Sequence, residues 1–235
     1  PMTDDVIPTP ESNADQNVQT AGQNFIAAVH AKMSNLVSEF ASGEINRTQF
    51  HHLYDRYQRQ IMTVAQLITE SDPNSWREAV VESEDTYHIR KRLTAKALGM
   101  SIYDNESGMP IETLGEFAVD TALIVPMLSS YRSATAEIFR AGMRSTEMEN
   151  GNWLCFVPGN YTTLIALFSL EPSDNQMQTI ERMHKDFEAA NKAALESRQA
   201  DPTQLAYPFL SFLKKAKQTG SDSLVDAALG GDDTD

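Results

Sequence analysis

Between Leu93 and Ala194 the apolar positions change their spacing in the order strand, strand, helix, three strands, helix. The first strand is read over Leu93–Tyr103, and a short second one over Met109–Leu114. Between them Asn105-Glu106-Ser107-Gly108 supplies residues that tolerate the positive φ of a tight turn, so the pair reads as a hairpin. From Glu116 to Ala141, Phe117, Leu123, Ile124, Met127, Leu128, Tyr131, Ile138 and Phe139 recur at three- and four-residue spacing, which predicts a long helix closed by Gly142 as a left-handed cap. Two sides of that helix are apolar, and Pro126 within it removes a backbone donor and predicts a kink near residues 122–125. Strands follow over Met143–Met148, Trp153–Val157 and Tyr161–Leu170, separated by turns at 149–152 and 158–160. Glu171-Pro172-Ser173-Asp174 then ends the last strand and caps a helix from about Asn175 to Glu196, with Met177, Ile180, Met183, Phe187, Ala190 and Ala194 on one face. The strands 154–157 and 164–170 are nearly continuous apolar runs, as a sheet covered on both faces requires.

Ahead of this unit the period is helical throughout. Phe25, Val29, Met33, Leu36, Val37 and Phe40 form one amphipathic face ended by Gly43. Asn46 with Gln49 three residues on has the spacing of a capping box for a second helix, whose buried face reads Phe50, Leu53, Tyr54, Tyr57, Ile61, Val64 and Ile68. Ser71-Asp72-Pro73 starts a short third helix with Trp76, Val80 and Val81 on its apolar side. The expected fold is therefore α+β: an antiparallel ββαβββα sheet flanked by helices and preceded by an α-helical hairpin. The organisation read from the pattern is a disordered acidic start (1–20), the hairpin with its short helix (21–92), the sheet domain (93–198) and a tail (199–235).

Charge sharpens the ends of this picture. Of a net charge of −14, nine charges lie in the first twenty residues and in 218–235, stretches without a base. Clustered Lys and Arg of the kind that neutralise phosphates are absent, so nucleic acid is not an expected partner. The lone cysteine, Cys155, lies in an apolar strand and reads as a buried thiol; no disulfide is possible within the chain. No apolar run has the length of a membrane span or the form of a signal peptide, so a cytoplasmic protein is expected and the three Asn-x-Ser/Thr sequons are read as chance matches. In the tail, Tyr207-Pro208-Phe209-Leu210-Ser211-Phe212-Leu213-Lys214-Lys215-Ala216-Lys217 is a compact aromatic and basic segment, suited either to docking on its own domain or to a partner's groove.

Reactive constellations are sparse. His51 and His52 share α-helical neighbours with Asp55, but no third ligand is nearby and a solvated helix surface is the simpler account; His184 with Asp186 or Glu188 reads the same way. The turn Pro158-Gly159-Asn160 has backbone amides able to cradle an anion, although a hairpin turn explains it more simply. No phosphate-binding, dinucleotide-binding, nucleophile-elbow or zinc-protease motif occurs, and neither catalysis, a metal nor a cofactor is expected.

The turn Gly108-Met109-Pro110-Ile111 into strand two, the long central helix and the strand Leu164-Ile165-Ala166-Leu167-Phe168 together resemble the roadblock/LC7 domain, the profilin-like unit of MglB-type regulators of Ras-like GTPases. The resemblance implies a non-catalytic, dimerising adaptor or scaffold that binds a second copy or a paralogue and, through that platform, a Ras-like small GTPase or another signalling partner. The residues expected at such interfaces are Leu128, Tyr131, Arg132, Thr135 and Met148 on the central helix and third strand, with Phe50, Tyr54 and Tyr57 on the hairpin. Two other classes remain: a small-molecule sensor of GAF/PAS type with a ligand against the sheet face, and a structural subunit of a larger assembly.

Overall fold

The computed structural model describes residues 10–69 (side chains from residue 19), 86–120, 122–129, 145–197 and 201–208. The chain divides into two compact units, Pro1–Leu93 and Thr94–Asp235.

The first unit is helical. Helix α1 (Pro10–Ala41) and helix α2 (Arg47–Thr69) pack as a hairpin around Val29, Leu36, Leu53 and Tyr57. Helix α1 starts at Pro10, so the second half of the stretch read as disordered is helical. Pro fits the first turn of a helix, where its missing donor has no partner to lose. At its other end Gly43 adopts φ 77°, and the Glu44 amide bonds the Glu39 carbonyl across it, a left-handed cap. The capping box of α2 is formed: the Gln49 amide donates to Asn46 Oδ1 at 2.8 Å, and the Asn46 amide donates to Gln49 Oε1 at 2.9 Å. Both side chains have a second use. Asn46 Nδ2 donates to the Leu93 carbonyl and Gln49 Nε2 to the Arg90 carbonyl, each at 2.9 Å, and these bonds hold the end of helix α3 (Thr86–Arg92) against the hairpin. Arg90 adds an ion pair with Glu39 at 2.7 Å. The short helix read from Ser71 lies outside the described residues.

The second unit is a five-stranded antiparallel sheet in the order β2-β1-β5-β4-β3, comprising β1 (Ala97–Asp104), β2 (Pro110–Gly115), β3 (Ser145–Glu147), β4 (Trp153–Pro158) and β5 (Thr162–Phe168). Every residue of the central strand β5 is buried. Strand β1 begins at Ala97 and not at Leu93, because Leu93 belongs to the helical unit's core and the Ala95 carbonyl is taken by Gln176 Nε2 at 2.9 Å. One sheet face, with Met100, Ile102, Cys155, Val157, Leu164, Ala166 and Phe168, is covered by Ile180, Met183 and Phe187 of helix α5 (Asp174–Ala190). The other, with Tyr103, Leu154, Phe156, Ile165 and Leu167, is covered by Ile124 and Leu128 of helix α4 (122–129).

Helix α4 starts later than the Glu116 expected of it. Gly115 turns the chain with φ 71°, the Glu116 amide bonds the Leu98 carbonyl, and the backbone of 116–117 passes so close over Gly99 that a Cβ there would lie 2.7 Å from it. Asp120 then caps the helix, its Oδ1 accepting from the Ala122 amide at 2.9 Å. The chain stays helical on both sides of Pro126; the expected continuation to Ala141 and its Gly142 cap lie outside the described residues.

Helix α5 opens on a capping box of Ser173 and Gln176. It breaks at Asn191 before the short helix α6 (Lys192–Glu196), where one continuous helix to Glu196 was expected. Asn191 is drawn out of the helix by the tail: its Nδ2 donates to the Phe187 and Ala206 carbonyls, and its Oδ1 accepts from the Ala206 amide at 2.7 Å. This pins residues 201–208 to the sheet unit, with Leu205 buried in its core and Tyr207 stacked on Phe187 at 5.5 Å between ring centroids. Among the described residues no helix is long and apolar enough to cross a membrane.

Candidate functional site

The residues expected at an interface fall into three groups. Leu128, only 4% exposed, packs with Ile124 against this chain's own sheet, and Met148 lies half-buried on the same cluster. Tyr131, Arg132 and Thr135 lie outside the described residues. On the hairpin Tyr57 is buried between the two helices, whereas Phe50 and Tyr54 are half-buried and stacked, with Phe50 4.7 Å from the Phe40 ring and 5.5 Å from the Tyr54 ring. Leu128 and Tyr57 thus serve the core, because a helix turned to bury Ile124 must also bury its neighbour four residues on.

Among the described residues the large apolar side chains that remain at the surface are others: Leu123 at 57% and Val125 at 43% exposure on α4, Val37 and Phe40 near the end of α1, and, singly, Met62, Tyr87 and Met109. The sequence carries the signal for them, since Leu123 and Val125 stand about a hundred degrees to either side of Ile124 on a helical wheel. Which of the two apolar stripes meets the sheet is not written in the period.

The histidines of α2, His51 and His52, are exposed, and among the described residues no three His, Cys, Asp or Glu side chains come together. Burial pushes the Cys155 thiol up to about 12, which makes it a core side chain and not a nucleophile at neutral pH.

The turn between β4 and β5 is both of the things the sequence suggested for it. It is a tight reversal, with the Gly159 amide on the Thr162 carbonyl at 2.8 Å, and its next amides converge on an anion that the chain itself provides. Glu188 of α5, 6% exposed, accepts at Oε2 from the Asn160 amide at 2.9 Å. Its Oε1 accepts from the Tyr161 and Thr162 amides, each at 2.8 Å, and from the Thr162 hydroxyl at 3.0 Å. A Cβ at Gly159 would overlap the Glu188 carboxylate, so a larger residue here would displace it.

Thr162 Oγ1 also lies 2.8 Å from Nε2 of buried His184. Since its proton goes to the acceptor-only carboxylate, the imidazole is assigned as the donor, with its proton on Nε2. Burial lowers the His184 pKa to about 4, opposed by the Glu188 charge, so the ring is neutral at pH 7.

Beside the neighbouring β1–β2 turn, an open groove of about 410 Å³ is lined by Asp104, Met109, Ile111, Leu195 and Pro202. The Asp104 carboxylate is committed to its own turn, accepting from the Ser107 amide at 2.6 Å and the Ser107 hydroxyl at 2.7 Å. Compared with protein-family models, with curated proteins and with solved structures, the chain matches none.

Proposed function

We propose that this protein is a non-catalytic, dimerising adaptor whose sheet unit docks a second copy, and whose assembled platform receives a Ras-like small GTPase or a comparable signalling protein. The observation that carries the reading is α4: apolar on both sides, it spends Ile124 and Leu128 on its own sheet and leaves Leu123 and Val125 in solvent. The ββαβββα order of the second unit supports the roadblock/LC7 resemblance, from which the GTPase is inferred. A GAF/PAS-type sensor would enclose its ligand against a sheet face, whereas both faces here are filled by side chains.

Light scattering of the full chain tests the reading. A dimer is expected, and Leu123→Asp should convert it to monomer with little change in melting temperature, since the new carboxylate is solvated in the monomer and desolvated in the interface. A wild-type monomer at tens of micromolar, or a dimer indifferent to Leu123→Asp, rejects this α4 interface. The partner is tested by titrating the dimer with a Ras-like GTPase loaded with GDP or a non-hydrolysable GTP analogue.

A further inference from the structure

We infer that Glu188, Thr162 and His184 form an acid-sensitive latch, which fastens the β4–β5 turn to α5 and opens locally before the sheet unfolds. The three side chains are all buried, and they join the start of β5 to α5. Hydrogen bonding runs one way through them: His184 Nε2–H donates to Thr162 Oγ1, whose own proton goes to Glu188 Oε1, and the carboxylate collects three consecutive amides besides.

A second proton on His184 would put a charge where burial disfavours it, and a ring that leaves the site to keep that charge in water gives up its bond to Thr162 Oγ1, the hydroxyl that is itself held by Glu188.

The titratable groups arrayed around His184 are few. Glu188 lies on its own helix, Cys155 in the core that α5 covers, and Tyr161 in the turn; the Tyr161 hydroxyl donates to Glu196 of α6 at 2.7 Å, and Lys192 lies 3.7 Å from Glu196. The thiol and the phenol stay neutral through the acid range, and Glu196 and Lys192 are exposed, which leaves His184 as the buried group whose protonation bears on the latch.

Opening would be felt beyond the turn. Asn105, in the β1–β2 turn, donates from Nδ2 to the Gly159 carbonyl at 3.1 Å and from its amide to the Tyr161 carbonyl at 2.9 Å, and it accepts from Thr163 Oγ1 at 2.7 Å. The latch is thereby tied to the hairpin turn whose Asp104 lines the groove.

Amide hydrogen exchange of the full chain, corrected for the intrinsic pH dependence, reads the latch directly. Between pH 6.5 and 4 the Asn160, Tyr161 and Thr162 amides should lose protection by roughly tenfold or more, while Ile165 and Ala166 in mid-β5 keep theirs. Glu188→Gln should show that loss already at pH 7, and should lower the His184 titration midpoint further, because the charge that favours imidazolium is gone. Turn and β5 amides losing protection together at every pH, or turn amides unchanged down to pH 4, would overturn the latch. The wild-type titration decides this even if Glu188→Gln does not fold, and an imidazole carrying its neutral-pH proton on Nδ1 would also contradict it.

Discussion

A single missing methyl group organises the β4–β5 turn: Gly159 leaves the space that the Glu188 carboxylate fills, and the carboxylate in turn accepts from three consecutive amides, of which that of buried Thr162 could not turn to water instead. Gly159→Ala should therefore destabilise the sheet unit by about 1–3 kcal/mol, read from urea denaturation, because the carboxylate must withdraw from at least one donor. An unchanged midpoint would show that the turn adapts without loss. His184 makes the second prediction at this scale. Its folded-state pKa, about 4, lies below the 6.5 of a free imidazole, so over that interval the unfolded chain binds more protons than the folded one. Its contribution to stability is complete above pH 6.5 and falls as the pH drops towards 4, by about 3 kcal/mol across the window. Urea midpoints at pH 7.5, 5.5 and 4.5 should show a steeper fall for the wild type than for His184→Gln; equal slopes would place the acid sensitivity elsewhere.

Elements in this chain are joined by side chains that cap one and hold another. Asn46 and Gln49 close the start of α2 and grip the end of α3, while Asn191 ends α5 and grips the tail. Helix α3 could not be read from TYHIRKR, which has one apolar position fit for a core, Ile89; its place is fixed by carbonyls that α2 satisfies. Asn191→Ala should accelerate exchange of the Ala206 amide by about tenfold or more while amides in mid-α5 keep their protection, because only the tail loses its partner. Loss of protection throughout α5 would mean that the tail supports the helix and not the reverse. Within the hairpin, Leu53 is fully buried and Phe50 is a half-buried rim residue stacked between Phe40 and Tyr54. Leu53→Ala should cost about 2–5 kcal/mol and Phe50→Ala about 1–2 kcal/mol, in that order by thermal or chemical melting. A larger loss at Phe50 would place a further packing partner on that ring.

At the scale of the whole molecule, two units with separate cores carry separate surfaces, and the distinction between core and surface decides what a substitution means. Leu128→Asp should unfold the sheet unit, since it buries a charge among Ile124, Leu154 and Ile165, whereas Leu123→Asp should leave the fold and act on association. If Leu128→Asp gives a folded monomer, α4 leaves its sheet on dimerisation. The strands and their order, the capping box of Asn46 and Gln49 and the left-handed cap at Gly43 follow from the sequence alone, because periodicity, cap chemistry and the φ preference of glycine act within a few residues of chain. Burial of β5 on both faces was legible for the same reason, as an unbroken apolar run. What only the tertiary structure decided is which of two apolar stripes on α4 meets the sheet, where α5 breaks for Asn191, and that the Asn160, Tyr161 and Thr162 amides converge on Glu188, some thirty residues along the chain. Each of those depends on a partner distant in sequence, whose distance and direction no local pattern encodes.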